Sequence, residues 1–196
     1  RNPSGIAYRT SESQISWDQY FHAAMGLAEQ IKRKTTKGGR ILVWLPDCPD
    51  IHICYLACEM AGVVTVGAGW KAGLQELKYL SEVTGASILL SKRNNPLGKL
   101  DDISEYLNLN SLSIEGIFSN HIVDAEGPNL EGSIGPSDLW FLNSTSGTTG
   151  LPKCVMQTQN RWFYFHKKAV EFGQLTEKDI WMSVVPAPFG FGLWTA

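Results

Sequence analysis

A chain of 196 residues, 43% hydrophobic and 18% charged, can build one sizeable core or two small ones and is too apolar to be intrinsically disordered. Its net charge of −2 argues against a nucleic-acid-binding domain, which would be clearly basic. The four cysteines, at 48, 54, 58 and 154, form no Cys-x-x-Cys pair and have no paired histidines nearby, so neither a disulfide framework nor a metal site is expected and the reducing cytoplasm is the expected compartment.

Ser16-Trp17-Asp18-Gln19 has the form of a capping box and should start a helix. Phe21, Ala24, Leu27, Ala28 and Ile31 continue it at helical spacing, and Gly38-Gly39 closes the segment. The basic residues Lys32, Arg33, Lys34, Lys37 and Arg40 gather where that helix ends, a place that favours solvated cations. Arg40 to Leu45 reads as a short apolar strand stopped by Pro46. Pro49 and Asp50 suit the first turn of a second helix, which runs to about Ala61 and stops at Gly62. Cys54 and Cys58 share one face of it, as small buried apolar residues do.

Val63 to Val66 is the next strand, Leu74 to Val83 a third helix with Leu74, Leu77, Leu80 and Val83 on one side, and Ser87 to Ser91 a further strand. Trp70-Lys71 falls in a turn between them, where a surface position is expected. Each strand is an almost unbroken apolar run, the signature of strands buried on both faces. We therefore expect an α/β fold, with largely parallel sheets flanked by helices. Beyond Lys92 the pattern weakens to a helix over Leu100–Leu107 and a loop rich in Gly, Pro and acid from Asp124 to Ser137. Asn160 to Phe172 reads as a helix dense in aromatics, and Ile180 to Val185 as a strand ending at Pro186. Trp17, Trp44, Trp140, Trp162 and Trp181 fall in these elements and are expected at or near the core; His22, His52, His121 and His166 sit in four different segments and form no constellation. The most apolar region, Ile51 to Trp70, carries Glu59 and three glycines and makes no convincing membrane span.

Residues 144–153, Ser-Thr-Ser-Gly-Thr-Thr-Gly-Leu-Pro-Lys, carry the chemistry. Five hydroxyl side chains, two glycines, a proline and one ammonium lie between the apolar runs Leu139–Leu142 and Cys154–Met156, so the loop should join two strands. A glycine-rich backbone can turn several N–H groups toward one anion, and hydroxyls and Lys153 add donors and charge. The ligand this suits best is a polyphosphate such as ATP. A plain linker would not be flanked so tightly by strands. A Walker loop fails, because Pro152 stands where its second glycine belongs and Cys154 follows the lysine. The Gly-x-Gly-x-x-Gly of dinucleotide folds is absent.

Thr145 to Lys153 resembles the signature loop of the adenylate-forming superfamily, which contains acyl-CoA synthetases, peptide-synthetase adenylation domains and beetle luciferases. The segments Trp17–Ala28, Arg40–Pro49, Leu56–Gly67 and Gln75–Ala86 resemble its opening helices and strands, and Val184 to Leu193 resembles the segment lining its acyl and pantetheine channel. The resemblance spans essentially the whole chain and implies a partial N-terminal AMP-binding domain over residues 1–196, with the C-terminal domain and its catalytic lysine absent. Arg1 in place of Met and an ending at Gly192 to Ala196 without a polar tail fit the same expectation.

The resemblance implies that a carboxylate attacks the α-phosphate of ATP, giving an acyl-adenylate and pyrophosphate, after which a thiol takes the acyl group. Thr145, Ser146, Gly147, Thr148, Thr149, Gly150 and Lys153 would bind or order the phosphates, with Pro152 shaping the loop. Phe189, Phe191 and Gly192 would line the acyl and coenzyme A channel, although apolar core uses the same side chains. A phenyl ring cannot do acid–base chemistry, so the role of Phe189 would be steric. Cys154, Gln159 and Pro188-Phe189 depart from the usual glycine, histidine and aromatic–histidine pair, which leaves the pocket shape open.

The leading expectation is an ATP-dependent carboxylate–CoA ligase acting on a small carboxylic acid, with the aromatic density near 162–165 and 188–194 mildly favouring a fatty or aryl acid. The alternatives are an adenylation domain that loads a carrier protein, and a catalytically silent nucleotide-binding relative. Mg²⁺ is implied by ATP chemistry and by no ligand residue, and nothing in the sequence supports homodimerisation.

Overall fold

The computed structural model describes residues 2–117, 134–145 and 152–189. A short antiparallel pair, β1 (Ile6–Arg9) and β2 (Gln14–Ser16), leads directly into α1 (Trp17–Lys32). The expected capping box is present: Ser16 Oγ accepts from the Gln19 N–H at 3.1 Å, and Gln19 Oε1 accepts from the Ser16 N–H at 2.9 Å. Two otherwise unpaired donors at the helix start are satisfied this way. Lys32 and Arg33 do lie at the end of α1, where Lys32 pairs with Glu29, whereas Arg40 opens the next strand, half-buried, and donates to the Thr84 carbonyl.

The chain continues as β3 (Arg40–Trp44), α2 (Pro49–Met60), β4 (Val64–Ala68), α3 (Leu74–Thr84) and β5 (Ile88–Ser91). A two-residue ribbon follows, β6 (Asn94–Asn95) with β7 (Gly98–Lys99), then α4 (Leu100–Leu107) and β8 (Asn110–Ser113). Last come β9 (Leu139–Thr145), β10 (Lys153–Thr158) and α5 (Gln159–Gly173). Six of these strands form one sheet in the order β10-β9-β4-β3-β5-β8, parallel except for β10.

Why the strands read as continuous apolar runs is now visible. Ile41, Val43, Ile88, Leu90 and Phe141 point to the face covered by α1 and α2. Leu42, Trp44, Val66, Leu89 and Leu142 point to the face covered by α3 and α4. Successive side chains alternate between faces, so two covered faces demand apolar residues at every position. Burying each large side chain stabilises the fold by about 1.5–3 kcal/mol. Cys54 and Cys58 are buried free thiols within the first of these cores.

Four expectations need correction. Ile180–Val185 is not a strand: no neighbouring strand pairs with it among the described residues, and Ile180, Met182 and Val184 are largely exposed. Trp17 and Trp181 are half exposed rather than near the core, Trp17 because it opens α1 beyond the covered stretch and Trp181 because it shares that unpaired segment. Val83 is exposed although Leu77 and Leu80 beside it are buried, because α4 covers only part of α3. Trp70 is no surface residue: its ring lies 4.8 Å from that of Trp44 and packs against the second core.

Candidate functional site

Ligands of open parallel sheets bind outside the carboxyl ends of the strands. At that edge β9 and β10 form an antiparallel pair whose last register partners are Thr145 and Lys153. The two ends of the hydroxyl-rich loop are thus brought opposite one another, and Thr145 Oγ1 donates to the Lys153 carbonyl at 3.4 Å. Thr145 is half-buried and Lys153 exposed. Ser146, Gly147, Thr148, Thr149 and Gly150, expected to contact phosphates, lie outside the described residues, as do Phe191 and Gly192.

Phe189 is described, and it reaches the same edge. The Phe189 N–H donates to the Pro186 carbonyl at 3.1 Å, closing a turn that lays Ala187 and Pro188 over the ends of β4 and β9. A Cβ on Gly67 would stand 2.9 Å from the Phe141 ring and 3.3 Å from Pro188 Cα, so only glycine permits this approach without a shift. A Cβ on Gly69 would lie 3.6 Å from the Phe189 ring, which places that ring at the outlet of β4. Gly67 is the register partner of Asn143 across β4 and β9. The Asn143 side-chain amide donates to the Pro188 carbonyl at 3.4 Å, while its Oδ1 is buried with no hydrogen-bond partner among the described residues.

Asn143 went unread in the sequence, although a polar residue ending the apolar run Leu139–Leu142 was a usable signal. Asp47 was missed too: its Oδ1 accepts from the Ala187 N–H at 3.0 Å, joining the loop after β3 to the Pro186–Phe189 turn.

Behind the sheet the histidines stay apart on α1, α2 and α5, with His121 outside the described residues. His52 is nevertheless well placed: it stacks on Tyr8 at 5.2 Å and 16°, and its carbonyl accepts from the Tyr20 hydroxyl at 3.3 Å. Burial pushes its pKa down to about 4, against the opposing charge of Asp47. Burial likewise pushes Tyr8 up to about 12 and raises Tyr20 and Tyr55, so all three phenols stay neutral. Gln159 finds a specific partner in Glu59 of α2. Burial raises the Glu59 carboxyl, and the hydrogen bond from Gln159 draws it partly back. Cys154, half-buried beside Lys153, is raised by burial and is a weak nucleophile at neutral pH.

Comparison with known proteins decides the family. The profile of the family described as AMP-binding enzyme matches residues 1–196. The chain belongs to this family of AMP-binding enzymes. Among its relatives are enterobactin synthase component E of Escherichia coli, 24% identical over 96% of this chain and 37% of that protein, and 2-succinylbenzoate–CoA ligase of Bacillus subtilis, 26% identical over 94% of this chain and 36% of that protein. The chain therefore spans just over a third of the length of these curated relatives. The o-succinylbenzoate CoA synthetase of Bacillus subtilis, solved with its acyl-adenylate intermediate, superposes with a TM-score of 0.82 at 23% identity, over 98% of this chain and 49% of that one. The AMP-binding α/β fold, with its mostly parallel sheet flanked by helices, is thereby established. No helix among the described residues is long and apolar enough to cross a membrane.

Proposed function

We propose that residues 1–196 form part of the N-terminal domain of an ATP-dependent carboxylate–CoA ligase, and that the segment from Thr145 to Lys153 is its polyphosphate cradle. The observation that carries this reading is the β9–β10 pair, which closes a hydroxyl- and glycine-rich loop between Thr145 and Lys153 at the carboxyl edge of the sheet, in a chain of the AMP-binding family. In the reaction, a carboxylate oxygen forms a bond to the α-phosphorus of ATP and the bond to pyrophosphate breaks. Coenzyme A then displaces AMP, its thiol sulfur bonding to the acyl carbon.

Within that scheme each residue has a task set by its chemistry. Lys153 supplies a point charge against the phosphates, and the hydroxyls of Thr145, Ser146, Thr148 and Thr149 with the backbone of Gly147 and Gly150 supply oriented donors. Such donors matter most where negative charge builds up as the phosphoryl group transfers. The exposed Lys153 at this edge is consistent with an anionic ligand there. Mg²⁺, arriving with ATP, would neutralise phosphate charge during the transfer. Among the described residues no group of three or more acidic, cysteine or histidine side chains could hold a metal ion. Phe189, with Phe191 and Gly192, would border the acyl group and the thiol path as a steric wall.

The relatives that make CoA thioesters support the acceptor, and an acid-dependent assay tests it. Carboxylate-dependent ATP–pyrophosphate exchange, run on the full-length protein with fatty, aryl and amino acids, should respond to one acid class. Added CoA should then consume the adenylate and release AMP. Exchange without CoA-dependent AMP release would rule out CoA as the acceptor and turn the test to a carrier-protein thiol, and absence of exchange with every class would refute the ligase reading.

A further inference from the structure

The stretch Pro186-Ala187-Pro188 has a single backbone N–H, because neither proline carries one. That N–H, on Ala187, donates to Asp47 Oδ1 at 3.0 Å, from the loop after β3. The Pro188 carbonyl accepts from Asn143 Nδ2 at 3.4 Å, from β9. The remaining bond, Phe189 N–H to the Pro186 carbonyl, is internal to the turn. No strand pairs with this segment among the described residues, yet Ala187 is only 1% exposed and Asn143 only 2% exposed. Two side chains from distant parts of the chain thus hold a turn whose central residues, Ala187 and Pro188, are buried and which pairs with no strand among the described residues.

The placement of Asn143 is informative. Phe141, Asn143 and Thr145 alternate along β9 and therefore share one face, the face on which Phe141 meets Gly67 and Pro188. The strand that enters the hydroxyl-rich loop is the same strand that grips the turn carrying Phe189. Asp47 holds the other end of that turn to the outlet of β3.

We propose that Asp47 and Asn143 are positioning residues that fix Phe189 relative to the phosphate loop, and so set the shape of the acyl and thiol pocket. They act through the backbone of residues 186–188 and not through the nucleotide. This rests on the ligase reading above. It further predicts that the two residues affect acid and thiol recognition while leaving ATP recognition largely intact.

Two readouts in the full-length protein test it. The first is amide exchange at Ala187, which reports the Asp47 bond directly because Ala187 holds the only amide in the Pro186–Pro188 stretch. In Asp47→Ala this exchange should accelerate about five- to tenfold, and in Asp47→Asn, which keeps an Oδ1 acceptor, most of the protection should return. The second is the split between Michaelis constants. Asp47→Ala and the volume-conserving Asn143→Leu should each raise KM for the carboxylate or thiol about fivefold, with KM for ATP changed less than about twofold. Unchanged exchange at Ala187 in Asp47→Ala, or an ATP KM that rises as much as the carboxylate KM, would overturn the proposal. If the wild type shows no acid-dependent exchange of pyrophosphate, the ligase reading has failed, and the Ala187 amide result still judges the two anchoring bonds by themselves.

Discussion

The sheet from β3 to β8 and the region from β10 onward are built from similar amounts of apolar sequence and treat it in opposite ways. In the first, helices cover both faces and Leu27, Ile31, Ile41, Leu42, Trp44, Leu77 and Leu80 are fully buried. In the second, α5 has no fully buried residue; Phe163, Phe172 and Met156 stand 67%, 80% and 68% exposed, and Ile180 and Met182 more so. Between them lies the carboxyl edge, where Thr145, Lys153, Asn143 and the Phe189 turn meet. The contrast teaches that stability resides in the doubly covered sheet, and that the proposed site lies on its boundary with the uncovered region.

The contrast can be broken from either side. Trp44→Ala removes a fully buried ring that packs on Trp70 and should cost about 3–5 kcal/mol in denaturant unfolding. A loss under 1 kcal/mol would mean that the covered sheet is not where stability lies. His52 provides a pH handle on the same half. Its folded pKa, near 4, lies below the unfolded value, so the unfolded chain binds the extra proton first as pH falls. Stability should therefore decline from about pH 6.5 down to about pH 4, by up to ~3 kcal/mol, and level off below. His52→Phe, which keeps a ring against Tyr8, should flatten that decline relative to the wild type, whereas an identical pH profile would refute the burial account.

Gly67→Ala sits on the boundary. The new methyl would press on Phe141 and Pro188, costing about 1–3 kcal/mol and disturbing the Phe189 turn, as thermal unfolding and acid KM would show together. The smallest effect is expected in the uncovered region. Phe172→Ser should change stability by no more than about 0.5 kcal/mol, and a larger loss would show that α5 is buried in the full-length protein.

The same contrast explains what could be read from the sequence. Strands β3, β4 and β5 were legible because two covered faces leave no polar position to blur the pattern, and α1 was legible because Ser16 and Gln19 make a reciprocal cap. The β9–β10 pair was legible from its flanking apolar runs. β8, Asn-Ser-Leu-Ser at the sheet edge, was not, since an edge strand with one buried leucine carries little hydrophobic signal. Ile180–Val185 has the composition of a strand but no partner among the described residues, and pairing is a tertiary property that composition cannot supply. The chemistry proposed for the loop rests on its residue types. Its link to Phe189 could not be read from them, because Asp47 and Asn143 reach the turn from 140 and 45 residues away.

The central claim is that a stable sheet presents Lys153 to the phosphates of ATP without depending on it for folding. The direct test is Lys153→Ala in the full-length protein, measuring acid-dependent ATP–pyrophosphate exchange and the thermal midpoint on the same sample. Because Lys153 is exposed, the account predicts exchange reduced by about 10²-fold or more with a midpoint shifted by no more than a degree or two. Exchange that survives the substitution, or falls only in step with a lost fold, would contradict it.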